Sequence, residues 1–262
     1  MTTTYVFDNE SAFATEQHRV LAELLDPFTT ERLAVTGVTR GWRCLEVGAG
    51  GGSVARWLAD RVAPDGRVLA TDIKPHHIRR VPGLDVRRHD ITRDPLPRGE
   101  FDLIVTRLLL RHLPDRAAVL RRLLAALKPG GWLQIDEFDN SYVRPLLTPD
   151  PAASALFEAF MEAKDRVVVA AGNDIFLGRH IAGELRDLGM VDVDPCPRLW
   201  TWPGGSPGTR LLIHHSHALR DELLAAGMTD RQLEDVRALL ADPGFVASSY
   251  VTYSVHARRP GG

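Results

Sequence analysis

From Gly41 to Asp136, short apolar, β-rich runs alternate with helical patterns, and this alternation leaves few folds open to the chain. Strands are expected at residues 43–47, 67–71, 84–88, 101–105 and 132–136, each mostly apolar, as strands covered on both faces must be. Helices are expected between them at 53–62, 75–80 and 115–127. Pro64-Asp65-Gly66, Pro82-Gly83 and Pro129-Gly130-Gly131 supply the turn signals that separate these elements. The fold class is therefore α/β, with a mostly parallel sheet and helices on both faces.

The flanking regions are less regular. A helix is expected at 11–25, where Val20, Leu21, Leu24 and Leu25 fall at helical spacing. After residue 140, Pro145, Pro149 and Pro151 lead into an apolar helix at 152–169, followed by a helix at 176–188 and a strand at 191–202. The run Pro203-Gly204-Gly205-Ser206-Pro207-Gly208 breaks the pattern again, before helices at 209–226 and 230–240 and a strand at 248–258. We divide the chain into an N-terminal helical lid segment (1–40), an α/β binding core (41–140), a cap insertion (141–175), a core helix and strand (176–202), a helical cap insertion (203–245), and a closing strand and tail (246–262).

A chain of 262 residues is expected to form one core with an appended cap. Its 34 acidic and 32 basic residues, net charge −2, create no field that would attract nucleic acid. No apolar run approaches the roughly 18 residues of a membrane span, and the first residues lack the basic and apolar regions of a signal peptide, so a cytoplasmic location is expected. Cys44 and Cys196 are too few and too separated for a disulfide framework or a zinc cluster.

The segment Leu45-Glu46-Val47-Gly48-Ala49-Gly50-Gly51-Gly52-Ser53 carries the most chemistry. It reads as a strand entering a glycine loop that opens a helix, where backbone amides can approach a ligand closely. Ser53 replaces the third glycine of a dinucleotide fingerprint, and Glu46 puts a carboxylate where a pyrophosphate would be repelled and a cation favoured. Asp72, 22 residues beyond Gly50 and at the end of the second strand, can accept both hydrogens of a ribose diol. Asp90 follows the third strand, positioned to accept from an adenine amine while Ile73 and Ile91 flank the ring.

Together these residues resemble the class I S-adenosylmethionine-dependent methyltransferases. Glu46-x-Gly48-x-Gly50-x-Gly52 is similar to the family's first motif, Asp72 to its ribose-binding acid, Asp90-Ile91 to its adenine motif, and Leu127-Lys128-Pro129-Gly130-Gly131 to the turn before its fifth strand. The resemblance implies S-adenosyl-L-methionine as cofactor, held by Glu46, Gly48, Ala49, Gly50, Gly52, Ser53, Asp72, Ile73, Asp90, Ile91 and Arg107. It also implies a Rossmann-like seven-stranded sheet whose last strand is antiparallel, with 191–202 and 248–258 as its sixth and seventh strands. The two insertions would form an acceptor cap, as in small-molecule enzymes of actinobacterial secondary metabolism. Two rival readings are a protein of this fold that uses the cofactor as scaffold for a cyclisation, and an NAD-dependent oxidoreductase, against which Glu46 and Ser53 argue.

Methyl transfer needs orientation and water exclusion more than acid–base machinery, but a hydroxyl acceptor benefits from a base. His112, in a His-Leu-Pro-Asp stretch similar to one in relatives, is the first candidate, with a helix-cap contact as its structural alternative. His215 follows, since Leu212, His215, Leu219 and Leu223 form one stripe that turns it toward the body, away from His214 and His217. Glu137, after strand five, is the third. Arg107 is expected to line the pocket, a surface ion pair being its alternative. The resemblance extends to catechol-type relatives, which hold magnesium with an acid after strand four and an Asp-Asn pair after strand five; Asp139-Asn140 could serve as the pair, but strand four ends in Thr106-Arg107, where an arginine would oppose a divalent ion, so no metal is expected. Segments 141–175 and 203–245 are mostly apolar with scattered Arg and His, which suits a small, partly hydrophobic acceptor. Neither nucleic acid nor membrane is expected as a partner, and a homodimer is left open.

Overall fold

The computed structural model describes residues 14–261. Seven strands form the main sheet: β1 (Arg43–Val47), β2 (Arg67–Asp72), β3 (Leu84–Arg88), β4 (Phe101–Arg107), β5 (Leu127–Asp139), β7 (Val191–Arg198) and β10 (Val251–Arg258), in the order β3-β2-β1-β4-β5-β10-β7. All are parallel except β10, which is inserted antiparallel between β5 and β7. The expected Rossmann-like sheet is thus present, with the two predicted closing strands as its sixth and seventh members.

Alternation along each strand assigns the two faces. Cys44, Leu103 and Val105 pack with helix α2 (Ser53–Val62) and the end of α1 (Ala14–Val35), while Leu45, Val47, Ile104, Leu133 and Ile135 pack with α3 (Arg116–Ala126) and α5 (Leu177–Asp187). The α2 stripe of Val54, Ala55, Leu58, Ala59 and Val62 is buried, and on α3 Val119, Leu120, Leu123 and Ala126 are. Asp115 caps α3 by accepting from the Ala118 amide at 3.0 Å.

Several elements depart from expectation. The predicted helix at 75–80 is a single 3-10 turn, Pro75–His77, because Ile78 leaves it extended and sinks against the glycine loop. The predicted helix at 11–25 continues through Pro27 to Val35; its segment before Ala14 lies outside the described residues. Lys128-Pro129-Gly130-Gly131 is a bulge inside β5, not a turn before it. Gly130 has φ 76°, and the β4–β5 register shifts beside it.

Helices α4 (Pro151–Ala170), α6 (Pro207–Ala218), α7 (Arg220–Ala225) and α8 (Asp230–Ala241) build the cap around Phe157, Phe160, Trp202 and Phe245. The single helix predicted at 209–226 is broken at Leu219 into α6 and α7. A three-stranded sheet, β6 (Pro145–Leu147), β9 (Val246–Ser248) and β8 (Thr201–Pro203), was not legible in the sequence. It forms because two predicted strands each divide between the sheets. The segments beyond β7 and before β10 cross side by side, held by Ser249 N–H to Trp200 O at 2.8 Å and Trp200 N–H to Ser249 Oγ at 2.9 Å. Among the described residues no helix is long and apolar enough to cross a membrane.

Candidate active site

The carboxyl ends of β1, β2 and β4, the start of α2 and one side of α1 enclose a cavity of about 1190 Å³. Its floor is the glycine loop. Gly48, Gly50 and Gly52 have φ of 71°, 52° and 69°, conformations that side chains rarely adopt. The Gly48 and Ala49 amides both donate to Thr71 O, at 2.8 and 3.0 Å, so the loop is pinned to β2. A Cβ on Gly52 would stand 2.6 Å from Ile78 Cγ2, and one on Gly48 would stand 3.0 Å from Leu109 Cδ1.

Three carboxylates face this loop or its rim. Asp72 accepts from the Gly50 amide at 2.9 Å with Oδ2 and from the Lys74 amide at 2.8 Å with Oδ1, which leaves further lone pairs on both oxygens. Asp90 Oδ1 accepts from the amide and hydroxyl of Thr92, at 2.9 and 2.6 Å; desolvation opposes ionisation of this carboxyl, but the Thr92 hydrogen bonds prevail and hold it below the usual range. Glu46 is almost completely buried, its Oε2 has no hydrogen-bond partner, and burial pushes its carboxyl up to about 8 against the pull of Arg107. Ile73, half exposed, and Ile91, buried, also line the cavity, as do Ala49, Ser53 and Arg107. Of the residues expected to hold the cofactor, only Gly52 is not on the lining; it shapes the loop from beneath, over Ile78.

Helix α1 supplies residues that the sequence did not single out. His18 lies over the loop, its Nε2 3.2 Å from where a Gly50 Cβ would be, and it meets His77 edge-on at 5.1 Å. Desolvation, helped by His77, lowers the His18 pKa. Asp26 Oδ1 accepts from Arg107 Nη1 at 2.7 Å and from Ser53 Oγ at 3.0 Å. Thr29 Oγ1 donates to the buried Asp136 at 2.7 Å, and Gln134 Nε2 donates to Thr29 O at 3.1 Å. Gln134 and Asp136 share the α1 face of β5, which alternation could have shown to be polar.

A second chamber, about 70 Å³, adjoins the first and shares Leu21, Leu108, His112 and Asn173 with it. Its remaining walls come from α1, the turn after β4, the end of β5, α4, α6 and Tyr250 just before β10, and include Arg111, Lys164 and His215. His112 stands between the two spaces; burial, reinforced by Arg111, depresses its imidazole to about 3. His215 is also buried, with its pKa well below the ordinary value because of desolvation and then Lys164. His214 is turned toward α1 instead, with Nε2 3.2 Å from Gln17 Oε1.

Glu137 lines neither chamber. It faces the α3 and α5 side of the sheet, where Oε1 accepts from the Leu110 amide at 2.8 Å and holds the 3-10 turn Leu110–His112, while burial raises its carboxyl to about 7. Asp139 is engaged by both Nε and Nη2 of Arg179, at 2.6 and 2.7 Å, and Asn140 Nδ2 donates to Asp165 Oδ1 at 2.8 Å. Among the described residues no group of three His, Cys, Asp or Glu side chains is arranged to hold a metal ion.

A family model described as a methyltransferase domain matches residues 13–233. Methyltransferase str3 of Strobilurus tenacellus is 31% identical over 151 residues, covering 57% of this chain and 53% of that protein. Methyltransferase str2 of the same organism is 43% identical over 100 residues, covering 37% and 36%. The chain thus spans about half, or about a third, of the length of these relatives. Haemonchus contortus phosphoethanolamine N-methyltransferase 2, solved with S-adenosyl-L-methionine, shares the fold at TM-score 0.59 and 14% identity, covering 98% of this chain and 60% of that one.

Proposed function

Because the chain belongs to the class I S-adenosylmethionine-dependent methyltransferases, we propose that it methylates an O, N or C nucleophile of a small, partly hydrophobic metabolite. The observation that carries this reading is the junction of two spaces: a large cavity floored by the glycine loop and Asp72, and a smaller, cap-walled chamber sharing Leu108 and His112 with it. A cofactor with a cationic centre, a ribose and an adenine suits the larger space. Left-handed glycines leave room that a Cβ would fill, Glu46 has an orphaned buried oxygen, and Asp72 retains acceptor capacity. Asp72 would bind the ribose hydroxyls, Asp90 the adenine amine between Ile73 and Ile91, and Glu46 with the loop amides the cationic end. When bound, S-adenosylmethionine supplies an electrophilic methyl group.

The protein's own contribution is positioning. Helix α1, tied to β4 through Asp26 and Arg107, covers the loop, and the cap walls the acceptor chamber, so water is excluded and the nucleophile oriented. A general base is a minor element of this scheme, since His112 and His215 are neutral and weakly basic, and Glu137 serves the 3-10 turn. No metal is required, Asp139 being committed to Arg179.

Calorimetry with S-adenosylhomocysteine and with NAD tests the donor site, and labelled S-adenosylmethionine with metabolite extracts, with and without EDTA, tests the reaction. S-adenosylhomocysteine is expected to bind, NAD is not, and label is expected to enter a small molecule with EDTA present. Absence of S-adenosylhomocysteine binding would sink the reading.

A further inference from the structure

The smaller chamber has a basic lining. Arg111 and Lys164 both line it, and no Asp or Glu does. Arg111 is 8% exposed, yet its guanidinium has no hydrogen bond or ion pair to any described residue. Its nitrogens are not sealed off without partners but border the chamber, so its donors are presented to whatever fills that space. Glu137, on the other side of the sheet, feels its charge but bonds backbone amides instead. Lys164 is 2% exposed; Nζ donates to Asp165 Oδ1 at 2.6 Å and lies 5.3 Å from the Tyr250 ring centre. Burial alone would discharge this amine, but Tyr250 and Asp165 outweigh it and hold the pKa above the lysine range. Leu21, Leu108, Phe138, Val168 and Leu211 form the apolar part of the wall, and the rest is neutral polar, with Gln17, Asn140 and Asn173 among it.

Resting on the acceptor site proposed above, we propose that this chamber is an anion subsite that takes the carboxylate or ionised phenol end of the acceptor, with Arg111 and Lys164 as its counter-charges. Planar oxyanions match the guanidinium fork, and the apolar walls match the ring or chain that carries them. Where the ionised oxygen is itself the nucleophile, no base is needed, which agrees with the low basicity of His112 and His215 beside it.

The test titrates the protein, saturated with S-adenosylhomocysteine at pH 7.5, with benzoate and with benzamide, matched in shape but not in charge, by ligand-observed NMR. Benzoate is expected to bind at least about tenfold more tightly. Arg111→Gln and Lys164→Met are each expected to erase most of that preference while keeping S-adenosylhomocysteine affinity, and Arg111→Lys to restore part of it. Equal binding of the two probes, binding of neither, or a preference that survives both substitutions would overturn the proposal. If one variant does not fold, the other decides. Loss of S-adenosylhomocysteine binding by the wild-type protein would instead refute the donor site, so the two readings fail separately.

Discussion

Arg107 Nη1 donates to Asp26 Oδ1 at 2.7 Å, joining the last residue of β4 to the middle of α1 on the lining of the large cavity. The pair is partly buried, with Arg107 at 13% and Asp26 at 30% side-chain exposure, so solvent screens it less than a surface pair. Asp26 also accepts from Ser53 Oγ. Asp26→Ala should therefore lower unfolding free energy by about 1–3 kcal/mol, because Arg107 keeps only long contacts to Thr29 and Ser53. Urea denaturation measures this, and a change within error would show that α1 is held by its apolar packing alone.

Asp72 acts on the loop as well as on the ligand it is proposed to bind. Asp72→Ala removes the acceptor for Gly50 and Lys74 amides and for two ribose hydroxyls, and S-adenosylhomocysteine affinity should fall by about 2 kcal/mol or more. Calorimetry on the folded variant decides it; unchanged affinity removes the ribose assignment.

The buried Glu46 makes stability depend on pH. Burial raises its folded pKa to about 8, well above an ordinary glutamate, so the folded state holds a proton that the unfolded chain releases. Stability is then lost as pH rises from the unfolded value toward 8. Unfolded histidines still release protons between pH 6.5 and 8, which raises stability where their folded pKa is depressed, but this contribution is common to the wild type and Glu46→Gln, so the difference between the two proteins reports Glu46. From pH 6.5 to 8 the wild type should lose about 1–2 kcal/mol relative to Glu46→Gln. Parallel urea curves at pH 6.5 and 8 compare them; equal slopes for the two proteins contradict the assignment.

His112 should stay neutral throughout the usual working range, since its pKa is depressed to about 3, mainly by burial. Its ring resonances are expected to stay constant from pH 5 to 8 in two-dimensional NMR. A midpoint near 6.5 would return it to candidacy as a general base.

The chain's local pattern determined its sheet, its glycine loop and the placement of Asp72 and Asp90 at strand ends. Each depends on interactions within one β-α unit, so strand period, turn residues and left-handed glycines record them directly. Tertiary structure decided the rest. His18 and Asp26 reach the loop only because α1 packs across it, and nothing near them in sequence marks that contact. Arg111 and Lys164 share a chamber because α4 of the cap brings Lys164 against Tyr250 and opposite the turn after β4, and the cap's small sheet arises where two strands change sheets together. Glu137 was legible as a buried strand residue, but the amides that claim it belong to the turn after β4. Long-range packing chooses which face and which partner each polar side chain meets, and no local periodicity encodes that choice.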